Sequence, residues 1–537
     1  MNRLKSQFTA HRFLIAIVFL AAFLRFFHLD TNPPSLYWDE ASIAYNAYAI
    51  LKAGIDEHGT SFPITHFLAY GDAKPPLYIY ATTLSLAIFG LSEFAIRFPS
   101  ALAGTLTVFL TYFLVKQIFK DDEHSRPLAL ISSLLLAISP WHLQLARAAF
   151  EANLGHFFFI AGLTLFFIAL KKPKYFFLSA IFFVATFYTF NAYRIFLPPF
   201  LVLLLVLFVK PLRHHLRFVF TAVLLGLVLM APLIPFVLSH QAQLRFQEVS
   251  IFNDLDPIVE SNLRQQLNHH NLFSRLIYNR RLLFLGEFLK GYADNLTTDF
   301  LFVFSDPEPR LSIKDTGSLY LIELPFLLLG LFVLVRRRNR TSILLFVWLA
   351  LAIVPSAIAH QTPHALRTLQ ILPTYQIIIS LGLVSLLADR PNLKPLLFTA
   401  YLLSFGYYLN LYYFYYPFTW SPSWQYGYKQ LVAYTEAVKD QYDQVFIPQD
   451  LGRPHTYVLL YGRYDPRQYL RDRDAGIDIF GFTFTNGFGK YRFGLPSEDD
   501  LATKKLLLVT TWPPKPADLK TTIYDLAGRP VFYASQN

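Results

Sequence analysis

The sequence predicts a polytopic α-helical membrane protein of about 11 transmembrane helices that carries a small C-terminal α/β domain. Of its 537 residues, 54% are hydrophobic and 15% are charged, whereas soluble domains average about 25% charged residues. Apolar runs of roughly 20 residues, the length needed to cross a bilayer, recur along the first 412 residues. Much of the surface is therefore expected to face lipid rather than water.

Eleven runs are long and apolar enough, at least approximately, to cross the membrane. They cover residues 12–29, 97–119, 127–146, 152–170, 174–191, 194–210, 217–238, 317–335, 341–359, 367–388 and 394–412. The first run follows Arg3, Lys5 and Arg12, as in a signal peptide, but no small-residue cleavage site precedes Leu29-Asp30. We therefore predict an uncleaved first span.

A further apolar run, at 77–92, decides the sidedness of everything after it. If this run lies along the membrane and the N-terminus is cytoplasmic, the basic loops 171–174, 210–217 and 336–340 all face inward, as the positive-inside rule requires. If it crosses, they all face outward. The run is also short and begins with Pro75-Pro76, so we predict an interfacial or re-entrant helix, with a short twelfth span as the alternative.

This assignment divides the chain into a transmembrane domain, residues 1–412, and an extracytoplasmic α/β domain, residues 413–537, in the plasma (inner) membrane. The first outer loop, 30–96, contains interfacial helices, and 239–316 forms a large outer loop that could close over a site. In the tail, strand-like runs at 444–448, 457–461 and 505–510 follow a helical stretch at about 426–440. This alternation is typical of a small α/β domain.

Composition also excludes several kinds of chemistry. The formal net charge is +11 and there is no cysteine; thiolate nucleophiles and cysteine-based zinc sites are therefore ruled out. The basic residues lie in membrane loops, which argues against a nucleic-acid partner. His360 and His364 are spaced like helical metal ligands, but Pro363 disfavours a regular helix between them. The sequence predicts no metal site there.

The first outer loop carries two adjacent acids, Asp39 and Glu40, directly after Tyr37-Trp38 and just before a helical stretch. Adjacent acids at a membrane surface are often simply solvated. A carboxylate near a helix N-terminus is, however, stabilised in its charged form, and one held at membrane level can act as a general base. The flanking aromatic side chains suit the apolar faces of a sugar ring.

Several cations are predicted on the same face. Lys74 precedes a proline-started helix at headgroup depth, where it could either snorkel or meet a phosphate. Arg147 lies at the outward turn before Glu151, four residues on, so a helix-surface ion pair is the simpler reading, while its planar donor fork also suits a phosphate. Arg194 and Arg367 each stand at the outer end of a span. Together these motifs indicate a site for an anionic, membrane-delivered substrate.

The ordered set of motifs resembles the membrane glycosyltransferases of the GT-C type, in particular the superfamily of protein mannosyltransferases and aminoarabinose transferases. The matching motifs are Trp38-Asp39-Glu40-Ala41, Lys74-Pro75-Pro76-Leu77, the stretch Arg97 to Gly104, and Ser139-Pro140 through Arg147 to Glu151. The resemblance covers most of residues 10–210 and becomes diffuse beyond them.

The resemblance implies an inverting transfer of a sugar from a polyprenyl-phosphate carrier to an acceptor hydroxyl on the extracytoplasmic face. Asp39 would be the base, with Glu40 assisting it or positioning the acceptor. Lys74 and Arg147 would bind the donor phosphate, with Arg194 and Arg367 as lesser candidates. Trp38, Glu151 and His364 would support the site. No cofactor is certain, and the resemblance leaves a divalent metal open.

Two other functions fit the same features. A transporter or flippase of a lipid-linked saccharide would explain the spans and outer cations, although transporters usually place ionisable residues at the midplane and show repeated halves. A glycan polymerase or ligase that uses a lipid diphosphate donor would differ mainly in its leaving group. The acceptor, whether lipid, protein or polysaccharide, is not specified by the sequence.

Overall fold

A computed structural model describes residues 2–70, 72–477 and 483–537 of the chain. The fold divides into two compact units. Unit 1 comprises residues 1–25, 102–146 and 151–408, and unit 2 comprises residues 26–101, 147–150 and 409–537. The first outer loop thus packs with the C-terminal tail in unit 2. The predicted domain boundary at 412/413 stays a prediction.

Helices dominate both units. The first nine are α1 Asn2–Phe26, α2 Trp38–Ala53, α3 Pro76–Phe89, α4 Glu93–Ile118, α5 Ser125–Ile138, α6 Pro140–Ala146, α7 Glu151–Ala169, α8 Tyr175–Phe187 and α9 Ala192–Leu207. They are followed by α10 Val209–Arg213, α11 Leu216–Met230, α12 Leu233–Val237, α13 His240–Val249, α14 Asp256–Leu267, α15 Leu272–Ile277, α16 Arg280–Asp294, α17 Leu324–Arg337, α18 Arg340–Ala357, α19 Thr374–Asp389 and α20 Lys394–Asn410.

The last five helices are α21 Tyr416–Trp420, α22 Tyr428–Val438, α23 Pro454–Tyr461, α24 Pro466–Asp472 and α25 Glu498–Thr503. The strands are β1 Phe67–Ala69, β2 Asp72–Lys74, β3 Gln444–Ile447, β4 Asp474–Ile477, β5 Thr483–Phe488, β6 Tyr491–Phe493, β7 Leu506–Thr510, β8 Leu519–Tyr524 and β9 Pro530–Gln536.

The long apolar helices make this an integral membrane protein. Within the described residues, α4, α7, α18 and the stretch Leu369–Asp389 are each long and apolar enough to cross a bilayer, and the bent pair α5–α6 would make a fifth. Helices α3, α8, α9 and α11 are apolar but shorter. The total of 11 spans, the cytoplasmic N-terminus and the interfacial placement of α3 stay predictions.

Several predicted spans differ from the helices; the run 217–238, for example, is divided into α11 and α12. The run 127–146 is interrupted at Ser139, where the axis bends by 57° between α5 and α6. Ser139 is extended (φ −60°, ψ 125°) because a residue before proline is driven out of the helical region. The run 317–335 starts too early, since α17 begins only at Leu324. Pro325 at its first turn fits a helix start.

Unit 2 contains α2 and α3, which pack against each other, and the short hairpin β1–β2 between them. Helix α3 begins at Pro76, with Pro75 extended before it. It buries one face, including Tyr78 and Ile79, and leaves Leu84 and Ile88 largely exposed. Exposed apolar side chains on one edge are expected of a helix that lies against acyl chains.

The tail of unit 2 forms a seven-stranded mixed sheet in the order β4-β5-β6-β3-β7-β9-β8. Strand β3 runs parallel to β6 and to β7, and the other pairs are antiparallel. The predicted strands at 444–448 and 505–510 are confirmed as β3 and β7, and the helical stretch is α22. The predicted strand at 457–461 is wrong, because this run lies in α23. Pro454 starts that helix, and residues 454–460 are all buried, so no alternating pattern could separate helix from strand.

The predicted sidedness can be tested with single cysteines, because the chain has none of its own. Lys172→Cys, in the basic loop between α7 and α8, is expected to stay unmodified by a membrane-impermeant maleimide in intact cells. Gln266→Cys, exposed on α14, is expected to react. Permeabilised cells, where both should react, are the control. The reverse pattern would place the basic loops outside and contradict the predicted orientation.

Candidate functional site

The N-terminus of α2 places the two predicted acids in its first turn. Tyr37 is extended (φ −83°, ψ 169°) and precedes the helix. The Glu40 carboxylate accepts a hydrogen bond from the Tyr37 backbone N–H at 3.3 Å, which satisfies one of the donors that a helix start leaves open. Asp39 and Glu40 are neighbours in sequence but point in directions about 100° apart around the axis. Their side chains therefore meet different surroundings.

Asp39 forms an ion pair with Lys74, the residue predicted to bind phosphate. Lys74 Nζ lies 2.7 Å from Asp39 Oδ1, and the side chains are 9% and 30% exposed, respectively. Lys74 ends β2, and Pro75-Pro76 follows it directly, so the rigid proline step fixes its backbone. The pair thus joins the start of α2 to the start of α3. The carboxylate remains open to a ligand, while the ammonium group is mostly enclosed.

Glu40 is fully buried against Arg97 of α4. The guanidinium Nε and Nη2 lie 3.0 Å and 3.1 Å from Glu40 Oε1 and Oε2, a bidentate geometry that is both strong and directional. The Ala149 backbone N–H donates to Glu40 Oε1 at 2.8 Å. Neither Glu40 nor Arg97 is exposed at all. Both carboxylate oxygens of Glu40 therefore have partners within the protein, and no part of this side chain is exposed to an acceptor.

Arg97 also holds the chain that leads into α2. Its two terminal nitrogens donate to the backbone carbonyls of Leu29, Pro33 and Ser35, at 3.2, 2.7 and 2.5 Å. These bonds satisfy carbonyls that a non-helical, buried segment would otherwise leave without partners. The Arg97 side chain therefore binds both the segment before Asp39 and the Glu40 carboxylate.

Arg147 has a similar structural setting in unit 2. It is 1% exposed and donates through Nε to the Tyr412 hydroxyl at 3.0 Å. Its Nη2 donates to the carbonyls of Phe27, His28 and Asn32. Tyr412 belongs to a π-helical turn, Leu411–Tyr415, and such turns are frequent at functional sites.

Trp38 is held from the tail. Its backbone N–H donates to Gln425 Oε1 at 3.2 Å, and its carbonyl accepts from the Tyr70 hydroxyl at 2.9 Å. The indole packs on Gly452 so closely that a Cβ there would lie 2.7 Å from the ring. A glycine is therefore required at 452, which also has a positive φ of 107°. The peptide immediately before Asp39 is fixed on both of its polar groups.

The remaining predicted residues lie in unit 1. Arg194 donates to the Phe187 carbonyl and covers the Phe236 ring, and Arg367 donates to the Gln361 carbonyl. Glu151 begins α7.

His364 is mostly buried in unit 1, with Nδ1 3.9 Å from Asp306 Oδ2. Burial raises the pKa of Asp306 to about 6, against the two backbone N–H groups that it accepts. Across the described ranges, no three His, Asp or Glu side chains converge as metal ligands.

Of the predicted site residues, Asp39, Glu40, Lys74 and Arg147 lie in unit 2, and their contacts include Arg97 and Tyr412, while Tyr70 contacts the adjacent Trp38. Arg97 carried a sequence signal of its own, since an arginine at the start of an apolar run is expensive and usually functional. Tyr70 and Tyr412 lie among 32 tyrosines, and nothing in their local sequence distinguishes them.

Comparison with solved structures defines the class of fold. The chain is similar to ArnT from Cupriavidus metallidurans in the apo state, with a TM-score of 0.56 and 12% identity, covering 98% of each chain. It is also similar to the same protein bound to undecaprenyl phosphate, with a TM-score of 0.53 and 12% identity over 97% of each chain. The predicted resemblance to GT-C membrane glycosyltransferases is confirmed.

Sequence comparison is consistent with that class. The profile of the family described as "Dolichyl-phosphate-mannose-protein mannosyltransferase" matches residues 73–237. Two Bacillus subtilis (strain 168) proteins are similar over part of the chain. They are "Putative mannosyltransferase YkcB", 30% identical over 174 residues, and "Putative mannosyltransferase YycA", 28% identical over 164 residues. The matches cover 32% and 30% of this chain and 22% of each relative. Lys74, Arg97 and Arg147 lie within the family match, and Asp39 and Glu40 precede it.

Proposed function

We propose that this protein is an inverting glycosyltransferase that moves a sugar from a polyprenyl-phosphate carrier to an acceptor hydroxyl on the extracytoplasmic face of the plasma membrane. The observation that carries the proposal is the Asp39–Lys74 ion pair at the N-terminus of α2. It supplies a base and a cation at one point, in a chain whose fold resembles ArnT and whose residues 73–237 match a mannosyltransferase family.

Asp39 is the proposed general base. An acceptor hydroxyl is a poor nucleophile until its proton is removed, and a carboxylate within hydrogen-bond reach performs that step. Asp39 is the more exposed partner of its pair, at 30%. The activated oxygen attacks the anomeric carbon on the side opposite the phosphate, so the configuration inverts.

Lys74 is the proposed cation for the leaving group. As the bond from the anomeric carbon to the phosphate oxygen breaks, negative charge develops on the lipid phosphate, and a fixed cation lowers the energy of that state. Lys74 is only 9% exposed, so little water competes for its charge. A polyprenyl phosphate donor is supported by the similarity to an ArnT chain bound to undecaprenyl phosphate.

We assign Glu40, Arg97 and Arg147 to positioning rather than to contact with substrate, since each is at most 1% exposed. Arg194 and Arg367 stay lesser candidates for the donor phosphate. Trp38, Glu151 and His364 stay proposed supporting residues. The sugar is a hexose or a pentose, and the acceptor is a lipid, a protein or a polysaccharide.

Purified protein in detergent, given a radiolabelled undecaprenyl-phosphate hexose and a membrane extract as acceptor, is expected to pass label to the acceptor and release undecaprenyl monophosphate. Transfer from an undecaprenyl-diphosphate-linked glycan with release of the diphosphate carrier, and none from the monophosphate sugar, would instead identify a polymerase or ligase. In proteoliposomes, movement of intact donor across the bilayer without transfer of label would identify a flippase and contradict the proposal. Opposite anomeric configurations in donor and product, seen by NMR, test inversion.

Replacing Lys74 by Ala is expected to lower kcat by about 10²-fold, the usual loss when one group that stabilises a developing anion is removed. Lys74→Arg, which keeps the charge, should retain more activity than Lys74→Ala. Steady-state kinetics with the labelled donor measure both. Lys52→Ala, at the exposed end of the same helix α2, is the control and should behave as wild type. Equal activity of Lys74→Ala and wild type would remove Lys74 from the site.

A further inference from the structure

Unit 2 holds a second group of buried ionisable side chains, centred on Glu57 and His455. Their side chains are 3% and 8% exposed, and Glu57 Oε1 lies 3.8 Å from His455 Nε2. Glu57 follows α2 in the loop toward the hairpin, and His455 lies in the first turn of α23. The proposed transfer reaction uses neither residue.

Glu57 is fixed by its backbone more firmly than by its carboxylate. Its N–H donates to Asn46 Oδ1 at 2.9 Å, and its carbonyl accepts from Arg473 at 3.3 Å. Within the described residues, the carboxylate has two long contacts, 3.5 Å from Asn46 Nδ2 and 3.8 Å from His455 Nε2. A buried acid with such weak partners is costly to ionise. Burial and the nearby Asp56 together raise the pKa of Glu57 to about 7, against the lowering effects of Arg473 and Asn46.

A chain of hydrogen bonds leads from His455 to the peptide before Asp39. His455 Nε2 lies 3.3 Å from Thr456 Oγ1, which lies 3.1 Å from the Tyr70 hydroxyl. Tyr70 donates to the Trp38 carbonyl at 2.9 Å. A carbonyl can only accept, so the Tyr70 hydroxyl hydrogen is used there and Thr456 must donate to Tyr70. Thr456 must then accept from His455, which places the His455 proton on Nε2.

We propose that Glu57 is a positioning residue for Asp39. The protonation state of Glu57 sets whether His455 Nε2–H donates to Thr456, at the start of the Thr456–Tyr70–Trp38 chain, or to the Glu57 carboxylate. The proposal rests on the proposed function only in taking Asp39 as the base. When Glu57 is neutral, His455 donates to Thr456 and the chain reaches the Trp38 carbonyl in order. An ionised Glu57 attracts the same proton through a charge-assisted bond, which is about twice as strong as a neutral one.

Several groups around the pair decide its charge. On the Glu57 loop lie Asp56 and His58; the neighbouring elements contribute Tyr45 of α2, Tyr70 of the hairpin, Tyr469 of α24, Arg473 after α24 and Arg453 before α23. Burial, with the nearby Arg453, lowers the pKa of His455 to about 3. Burial lowers that of His58 to about 4. Both histidines are therefore neutral between pH 5 and 8, whereas Glu57, with a pKa of about 7, titrates in this interval.

The decisive experiment measures hydrogen–deuterium exchange of peptides covering residues 37–45 at pH 6 and pH 8, corrected for intrinsic exchange rates. The ionised fraction of Glu57 rises from about one tenth to about nine tenths over this interval, because each pH unit changes the ratio of the two forms tenfold. In wild type, exchange in the first turn of α2 is expected to increase about tenfold. In Glu57→Gln it should stay slow at both pH values.

Tyr70→Phe separates coupling from local packing, because it keeps the ring that lies under Arg453 and removes only the hydroxyl, with its bonds to Trp38 and Thr456. It should exchange fast at both pH values. Glu498→Gln, exposed on α25, is the control and should show the wild-type pH response. A wild type without pH-dependent exchange would overturn the proposal, and so would a Glu57→Gln variant, or a Tyr70→Phe variant, that retains it.

The stability of the protein gives a second, independent measurement. The folded-state pKa of Glu57 is above its ordinary value, so the folded protein binds the proton more tightly than the unfolded chain does. Its contribution to stability is fully present below the ordinary value and is lost as pH rises through about 7. The temperature midpoint of unfolding of wild type, relative to that of Glu57→Gln, should therefore decrease as the pH is raised from 5 to 8. The comparison cancels other groups that titrate there, such as Asp306. A constant difference would contradict the buried neutral acid.

Transfer assays then connect the switch to catalysis. If the protein transfers sugar, kcat/KM of wild type should include a decrease of about tenfold from pH 6 to pH 8 that Glu57→Gln and Tyr70→Phe both lack. A wild type that transfers no sugar at any pH, while its exchange still switches, would refute the proposed function and leave the positioning of α2 by Glu57 standing. Transfer with a profile that Glu57→Gln does not alter would refute the positioning role alone.

Discussion

Asp39→Asn is expected to lower kcat/KM for sugar transfer by about 10²–10⁴-fold, the range contributed by a positioned general base. The amide has nearly the shape of the carboxylate but cannot take the proton of an acceptor hydroxyl at neutral pH. Lys74, which is 2.7 Å from Asp39 Oδ1, keeps its own charge, so binding of undecaprenyl phosphate should be retained. Initial rates with labelled donor, together with equilibrium binding of the lipid phosphate, separate the two effects.

Asp30→Asn is the matched control. Asp30 is an exposed acid in the loop that precedes α2, so its replacement should leave the rate unchanged. A loss of lipid binding as large as the loss of rate would mean that Asp39 organises the phosphate site instead of acting as a base. Full activity in Asp39→Asn would place the base elsewhere.

The sequence predicted the parts of this site that depend on local rules. The two acids and the helical stretch after them predicted a helix start near Asp39, and α2 begins at Trp38. The proline step after Lys74 predicted a helix start, and α3 begins at Pro76. The apolar runs 97–119, 152–170 and 341–359 predicted the long apolar helices α4, α7 and α18, because a spanning helix must match the thickness of the bilayer.

Side-chain partners were beyond local rules. The neighbours Asp39 and Glu40 looked equivalent in sequence, yet one is half-open beside Lys74 and the other is buried on Arg97, 57 residues away. Only the folded chain decides which acid faces which partner, because adjacent helical residues point to different sides. Tyr70 and Tyr412 could not be predicted for a similar reason, because their partners Trp38 and Arg147 are also distant in sequence.

Side chains of the tail contact the segment that leads into α2. Gln425 Oε1 accepts from the Trp38 backbone N–H. The Tyr457 hydroxyl lies 3.1 Å from both Gln425 Oε1 and the Leu36 carbonyl, so these two acceptors share its single hydrogen. These contacts cross 387 and 421 residues of sequence, so no pattern within either segment announces them. Residues 457–461 were also wrongly predicted as a strand, whereas Tyr457 contacts the Leu36 carbonyl from helix α23. The start of α2 is therefore held from β2, α4 and the tail together.

Arg97→Ala is expected to destabilise the protein by about 3–5 kcal/mol, because it removes one partner of a fully buried ion pair and leaves Glu40 without the guanidinium that it contacts. The side chain also supports the carbonyls of Leu29, Pro33 and Ser35, so the segment before α2 should loosen at the same time. The change is measured as the fall in the unfolding midpoint in detergent, followed by size-exclusion of the heated protein. Lys429→Ala is the control: its pair with Glu93, also in unit 2, leaves the lysine 58% exposed, and such pairs contribute about 0–1 kcal/mol.

The double variant Glu40→Gln/Arg97→Met distinguishes the pair from the space that it fills. Removing both charges leaves no buried unpaired ion, so this variant is expected to be more stable than Arg97→Ala, as replacements of buried pairs by residues of similar volume often are. If Glu40 and Arg97 serve to position Asp39, the double variant should nevertheless transfer sugar more slowly than wild type although it folds. Stability restored together with full activity would show that the pair contributes to folding alone.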